Sequence, residues 1–293
     1  MMSMKNLYKV ATLEEIREYQ KTLYPLQDIV LSFLPTFDDF YLTGGTALAR
    51  FYLNHRLSED LDLFIKVRKE DELQTNKQKK RADSYAQDLV SLLSRTVEIS
   101  DELYDFYYSR FYVKTKDCTM KIDVVREHLH YGELVESPDG FYMNNLEDIA
   151  ATKIAAFEDR AEIKDIIDLL YLTKHIPLPR LFELADLKRV PVAYEQLLAI
   201  NTQGISGMAL LTKPIDEQEL MMFIDVLKKE TENEVKKKER IAINEIEQII
   251  AMNLWDFPRE FRTINPQSIP VLKRRLHKLP FPKRKVLERL LQS

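Results

Sequence analysis

The stretch LTGGTALARFYLNHRLSEDLDLF, residues 42–64, sets Asp60 and Asp62 on either side of one leucine, downstream of a double glycine. Strand side chains alternate between faces, so the two carboxylates project together while Leu61 and Leu63 point to the core. Two such anions about 5 Å apart, at an effective dielectric near 20, repel by about 3 kcal/mol, and a cation between them removes that cost. Oxygen ligands with room for water and phosphate suit Mg²⁺ or Mn²⁺. A calcium loop is excluded, because the segment is apolar and no glycine follows at the required place. Asp123, between Ile122 and Val124 in TMKIDVV, has the same setting. Three carboxylates on neighbouring strands can hold two ions, one at a triphosphate and one at an attacking hydroxyl. Each aspartate alone reads equally as a solvent-facing residue of an edge strand.

Gly44-Gly45-Thr46 stands between a β-prone run and a helical one. Glycines there let backbone N–H groups approach phosphate oxygens at a helix N-terminus. A double glycine alone is often a tight turn, but the chain has only six glycines, and two adjoin here. Lys153 sits in a helical pattern among Ile149, Ala150, Ile154 and Phe157, where it either reaches phosphate or snorkels from an apolar stripe. Asp165 and Asp168 lie one helical turn apart, and by spacing alone they read as a solvated or ion-paired surface. His128 and His130 share a strand face without the further ligands that zinc needs. The aromatics Tyr104, Phe106, Tyr107, Tyr108, Phe111 and Tyr112 suit sheet packing better than base stacking. There is no P-loop, dinucleotide fingerprint or serine framed by nucleophile-elbow glycines.

The elements that must position these residues follow from periodicity. Helical spacing covers 12–34, a short β-prone run covers 37–42, and 46–54 is helical again. Residues 60–67 alternate as a strand, 68–83 read as loop or exposed helix, and 84–94 as helix. From 96 to 126 the β-branched and aromatic density predicts strands, with a hairpin turning near 115–117. A connection through Gly132, Pro138 and Gly140 follows. From Leu146 only helices are expected: 146–158, capped by Asn144 or Asn145, then 162–174, and a charged helix over 215–253. Pro177 and Pro179 suggest a boundary near 176, dividing the chain into residues 1–175 and 176–293. The predicted class is α/β (α+β), a mixed sheet with flanking helices followed by a mostly helical domain.

Composition narrows the context. With 45% hydrophobic and 31% charged residues the chain reads as globular. Its single cysteine, Cys118, offers no internal disulfide and no cysteine zinc site. No apolar leader and no membrane-length apolar run is visible, so a cytoplasmic protein is expected. The net charge of −4 hides an asymmetry: residues 258–293 carry ten Lys or Arg against Glu260 and Glu288, leaving −12 on the preceding 257 residues. A basic tail on an acidic body suits a polyanion, or else a solvated amphipathic helix pair.

The motif GGTALA…HRLSEDLDLF resembles the AbiEii/AbiGii toxin family within the DNA polymerase β-like nucleotidyltransferases. The resemblance covers about residues 38–175, and the spacing from Gly45 to Asp60 is slightly longer than in many members of the superfamily. It implies a nucleotidyltransferase fold and a metal-dependent enzyme that moves an NMP from an NTP to an acceptor hydroxyl. It also implies the toxin half of a toxin–antitoxin or abortive-infection pair, with RNA such as tRNA as acceptor and a cognate antitoxin. By the resemblance, Gly44, Gly45 and Thr46 contact phosphates, and Asp60 and Asp62 bind Mg²⁺ or Mn²⁺ with Asp123 as third carboxylate. Lys153 faces the triphosphate, and Arg160, Lys164, Asp165 and Asp168 form a basic–acidic helix motif. Arg56 either holds its loop through Ser58 and the aspartates or touches phosphate. Rival readings are a small-molecule acceptor as in antibiotic nucleotidyltransferases, a protein acceptor, and a non-catalytic nucleotide-binding partner.

Overall fold

Alternating apolar residues build the sheet that carries the acidic residues. In the computed structural model, which describes residues 6–67, 81–127, 132–188, 194–199, 204–251, 269–279 and 281–291, the strands are β1 (Tyr8–Val10), β2 (Phe40–Thr43), β3 (Leu61–Ile65), β4 (Glu98–Tyr104), β5 (Tyr108–Lys114), β6 (Thr119–Arg126), β7 (Val135–Glu136), β8 (Tyr142–Met143) and β9 (Ala209–Leu211). Seven of them form one mixed sheet in the order β4-β5-β6-β3-β2-β8-β7. With α2 (Leu23–Phe33) and α4 (Ala82–Leu93) packed on this sheet, Leu61, Leu63, Ile65, Ile122 and Val124 are fully buried. Each such side chain contributes about 1.5–3 kcal/mol. The β5–β6 hairpin turns where the sequence predicts it, closed by Thr115 N–H donating to the Cys118 carbonyl at 2.9 Å.

The helical run expected over 12–34 is two helices, α1 (Leu13–Lys21) and α2, meeting at Thr22. Pro25 has no N–H to continue the first helix, so the ladder restarts. Thr12 and Glu15 close a reciprocal capping box on α1. Directly after β2 the chain enters α3 (Gly44–Thr46), which passes into a π-helical segment, Ala47–Leu53. Such wide turns collect at functional sites. The segment ends at Asn54 with φ +46, a left-handed conformation that asparagine tolerates.

Helix α5 (Leu146–Arg160) is capped by Asn145, whose side chain accepts from Asp148 N–H at 2.9 Å. Helix α6 (Ile163–Leu172) follows, and α7 (Leu178–Leu187) packs on α5. The chain separates into two compact units, Met1–Asp225 and Val226–Ser293, so residue 176 lies inside the first. Beyond α8 (Tyr194–Ala199) the expectation of helices only is corrected by β9, which pairs in parallel with β1. Three residues are too few to show alternation, and long-range bonds set this strand: Ala11 N–H to Leu211 and Leu57 N–H to Leu210, each 2.8 Å. The connection between β6 and α5 likewise contains β7 and β8, which extend the sheet. The long helix α9 (Glu217–Ala251) occurs where expected. In the second unit α10 (Ile269–Arg275) and α11 (Phe281–Leu290) surround a small core of Leu272, Leu279 and Leu287. No helix among the described residues is long and apolar enough to cross a membrane.

One buried polar cluster ties the sheet to the helices. Lys188, at the end of α7, contacts Glu127 at 2.6 Å and Asp148 at 2.8 Å, and the Tyr41 hydroxyl donates to Glu127. Burial pushes the Glu127 carboxyl up from 4.5 to about 7, against the opposing charge of Lys188. The folded state therefore holds this proton more tightly than the unfolded chain does. The resulting stabilisation is full below about pH 4.5 and lost as pH rises to about 7, at most about 3 kcal/mol. Glu127→Gln should flatten the pH dependence of urea stability across that window, and an unchanged profile would refute the assignment.

Candidate active site

A cavity of about 930 Å³ in the first unit has an acidic wall on the sheet and a basic wall from the helices. Asp62 of β3 stands in register beside Asp123 of the parallel strand β6, with Thr43 of β2 on its other side. Asp60 lies immediately before β3. All three aspartates, with Gly44, Gly45, Arg56, Ser58 and Lys153, line the cavity.

The acidic wall is unevenly compensated. Burial pulls the Asp123 carboxyl upward, yet Arg110 donates to it at 2.7 and 3.2 Å and Tyr108 at 2.8 Å, holding it below its usual range. Lys121 bridges Asp60 at 3.0 Å and Asp123 at 3.3 Å. Among the described residues none donates a hydrogen bond to the Asp62 carboxyl. Burial, and then the neighbouring Asp123 charge, push that carboxyl up. Among the described residues no three His, Cys, Asp or Glu side chains close into an ion nest. The donor set nevertheless fits a divalent cation, since a half-buried carboxyl that no hydrogen bond supports, beside a second one held below its usual range, is what a hard cation neutralises.

Gly44 explains the double glycine. It has φ +69, and a Cβ there would collide with the Asp62 carboxyl. A Cβ on Gly45 would come within 2.8 Å of Arg56 Nη2. The backbone at the start of α3 thus lies flush against both walls, an approach only glycine permits.

Buried ion pairs build the basic wall. Arg56 donates to both oxygens of Asp168, from Nε at 2.7 Å and Nη2 at 2.9 Å. His55 Nε2 lies 2.7 Å from the same carboxylate, and Lys153 Nζ lies 2.6 Å from it and 3.2 Å from Asp165. Arg160 grips Asp165 at 2.7 Å through two nitrogens. Burial opposes ionisation of Asp168, but Arg56 and Lys153 hold it well below the usual carboxylate range. Burial also depresses His55, leaving its imidazole less basic than usual. With His55 neutral, three cations face two anions.

Asp165 and Asp168 are fully buried, so the surface reading from spacing is corrected. Neither of them, nor Thr46, lines the cavity; they stand behind its wall. The Ser58 and Thr46 hydroxyls hydrogen-bond at 2.9 Å, and Thr46 donates to the Asp60 carbonyl, bracing the loop that presents Asp60. Arg110 and Lys121 escaped the sequence reading, which took Tyr108 only as a sheet-packing aromatic and not as a donor to Asp123. Period-two alternation in YSRFYVK and TMKID does put them on one face with Asp123, but the pairing of Arg110 opposite Asp123 is a matter of register. Of the aromatics, Phe111 is buried in the core and Tyr107 is exposed. His128 and His130 lie outside the described residues.

Two substitutions test this construction. Asp168→Ala would strand Arg56 and Lys153 in the interior and cost about 3–5 kcal/mol in urea unfolding; a loss below about 1 kcal/mol would show the network to be dispensable. Gly44→Ala should displace Asp62 and lower the activity of the site about 10²-fold with the fold retained. Wild-type rates in that variant would remove Gly44 from the site.

The sequence profile of a family described as "Nucleotidyl transferase AbiEii toxin, Type IV TA system" matches residues 26–256. Among curated proteins no sequence matches the chain. The crystal structure of JHP933 from Helicobacter pylori aligns at 19% identity and TM-score 0.48, over 80% of this chain and 99% of that one. A second H. pylori crystal structure, described as a candidate nucleotidyltransferase, aligns at 19% identity and TM-score 0.47, over 76% of this chain and 98% of that one. The extent of the profile match decides the assignment: this chain is a nucleotidyltransferase of the AbiEii toxin family of type IV toxin–antitoxin systems.

Proposed function

We propose that this nucleotidyltransferase moves an NMP from an NTP to a hydroxyl of an RNA acceptor, such as a tRNA end, in a reaction that depends on Mg²⁺ or Mn²⁺. The acceptor oxygen bonds to the α-phosphorus, the bond to the β-phosphate oxygen breaks, pyrophosphate leaves, and the hydroxyl proton passes to water. One observation carries the reading: register-paired Asp62 and Asp123 face a buried Arg56–Lys153 cluster across one cavity, with the Gly44 backbone between them.

Asp60, Asp62 and Asp123 would hold the cation, which when bound supplies positive charge against the phosphates. Backbone N–H groups at Gly44–Gly45 and the edge of the Arg56–Lys153–Arg160 cluster orient the phosphate tail. Asp123, kept ionised by Arg110 and Tyr108, aligns the incoming hydroxyl and is a weak proton acceptor. Thr46, Asp165 and Asp168 act through the groups they position. Neutralisation by a cognate antitoxin is what the type IV toxin–antitoxin family implies, and NTP and RNA as substrates suit a cytoplasmic location.

Incubation with each α-labelled NTP, Mg²⁺ or Mn²⁺, and total RNA should label RNA. Asp60→Ala combined with Asp62→Ala should abolish both labelling and growth inhibition. Label in small molecules or protein would replace the RNA acceptor, and retained transfer in the double variant would overturn the site.

A further inference from the structure

The catalytic cavity leaves the second unit unexplained. Residues 269–291 contain eight Lys or Arg against the single Glu288. Their apolar side chains are spent on a core of Leu272, Leu279 and Leu287, with Leu276, Val286, Leu290 and Leu291 packed around it. Lys273, Arg274, Lys285 and Arg289 are exposed outside that core. Phe281, the first residue of α11, is 64% exposed, with the Arg284 guanidinium 5.7 Å and the Lys285 ammonium 5.9 Å from its ring centre.

We infer that α10 and α11 form a binding surface for unpaired RNA, in which the cations follow the phosphates and Phe281 stacks on a base. Cations alone would suit any polyanion. The aromatic decides between partners. A protein interface has an apolar centre, yet Phe281 is the one large apolar side chain exposed on these helices among the described residues. A single aromatic face among cations is instead the pattern that holds single strands, because every base offers a face to stack on. An unpaired strand is favoured over a duplex, whose bases are already stacked. This deepens the RNA-acceptor reading, but its own physical basis is independent of catalysis.

The test uses the full chain, EDTA, and a labelled unpaired RNA of about twelve nucleotides, within the range of single-strand site sizes. Fluorescence anisotropy should show binding that weakens steeply with salt. Reversing Arg274, Lys285 and Arg289 to Glu should weaken it and flatten the log–log salt slope by about 2, near 0.7 for each phosphate that is no longer neutralised. Phe281→Ala should weaken unpaired RNA about tenfold while leaving duplex RNA unchanged. Far-ultraviolet circular dichroism of each variant checks that the helices persist, with Arg274→Gln, Lys285→Gln and Arg289→Gln as a milder triple variant. RNA binding insensitive to both charge sets, or polyglutamate bound as tightly as RNA, would overturn the inference; a charge effect without a Phe281 effect would overturn the unpaired-strand assignment. Because EDTA removes catalysis, a chain that binds RNA in this way but transfers no nucleotide would sink the proposed reaction and leave this surface standing.

Discussion

The bidentate clasp of Arg56 on Asp168 is the constraint on which the site depends. Arg56 belongs to the loop that delivers Asp60, and Asp168 belongs to a helix more than a hundred residues later. Two permanent charges buried together are costly to desolvate, and the cost is tolerable only when geometry and hydrogen bonding are complete. Here the Asp168 carboxylate is fully partnered: Lys153 and His55 join Arg56 on it, Lys153 also reaches Asp165, and Arg160 holds Asp165 in turn, so that only His55 Nδ1 within the cluster is buried without a partner. The cluster therefore holds the loop, α5 and α6 in one arrangement.

The sheet translates that arrangement into chemistry. One set of alternate residues, Leu61, Leu63, Ile65, Ile122 and Val124, anchors the strands by burial. The other set brings Asp62 and Asp123 side by side. The two carboxyls are shifted in opposite directions: Arg110 and Tyr108 hold Asp123 below its usual range, while burial and the Asp123 charge push Asp62 up against the pull of Lys153 and Lys121. Across the cavity the ion cluster carries an excess cation. Positive and negative walls with glycine backbone between them suit a substrate that is itself a polyanion.

Much of this is legible in the residues. Asp-Leu-Asp in an alternating run predicts a strand with two carboxylates on one face; β3 begins at Leu61, so Asp62 stands within the strand and Asp60 just before it. Asn145 as a cap, the hairpin near 115–117 and the long charged helix are local signals, and each stands where the spacing puts it. The misses share a cause. β1 and β9 are three-residue strands stabilised by partners about two hundred residues apart, and no local window contains that pairing. Asp165 and Asp168 carry the spacing of an exposed ion-paired face, and they are buried because Arg56, Lys153 and Arg160 come to meet them.

The sequence by itself determined the chemical inventory: the carboxylates, the double glycine, the lysine among apolar neighbours and the basic tail, together with the family they mark. Residue type and short-range alternation suffice for that, because charge, backbone freedom and side-chain direction are properties of a few neighbouring residues. Tertiary structure alone decided which cations accompany which aspartates. Lys121 and Arg110 on the acidic wall, and Arg56 and Lys153 on the basic one, are allotted by strand register and helix packing, and burial then pushes the Asp62 carboxyl up while Arg110 and Tyr108 hold Asp123 down.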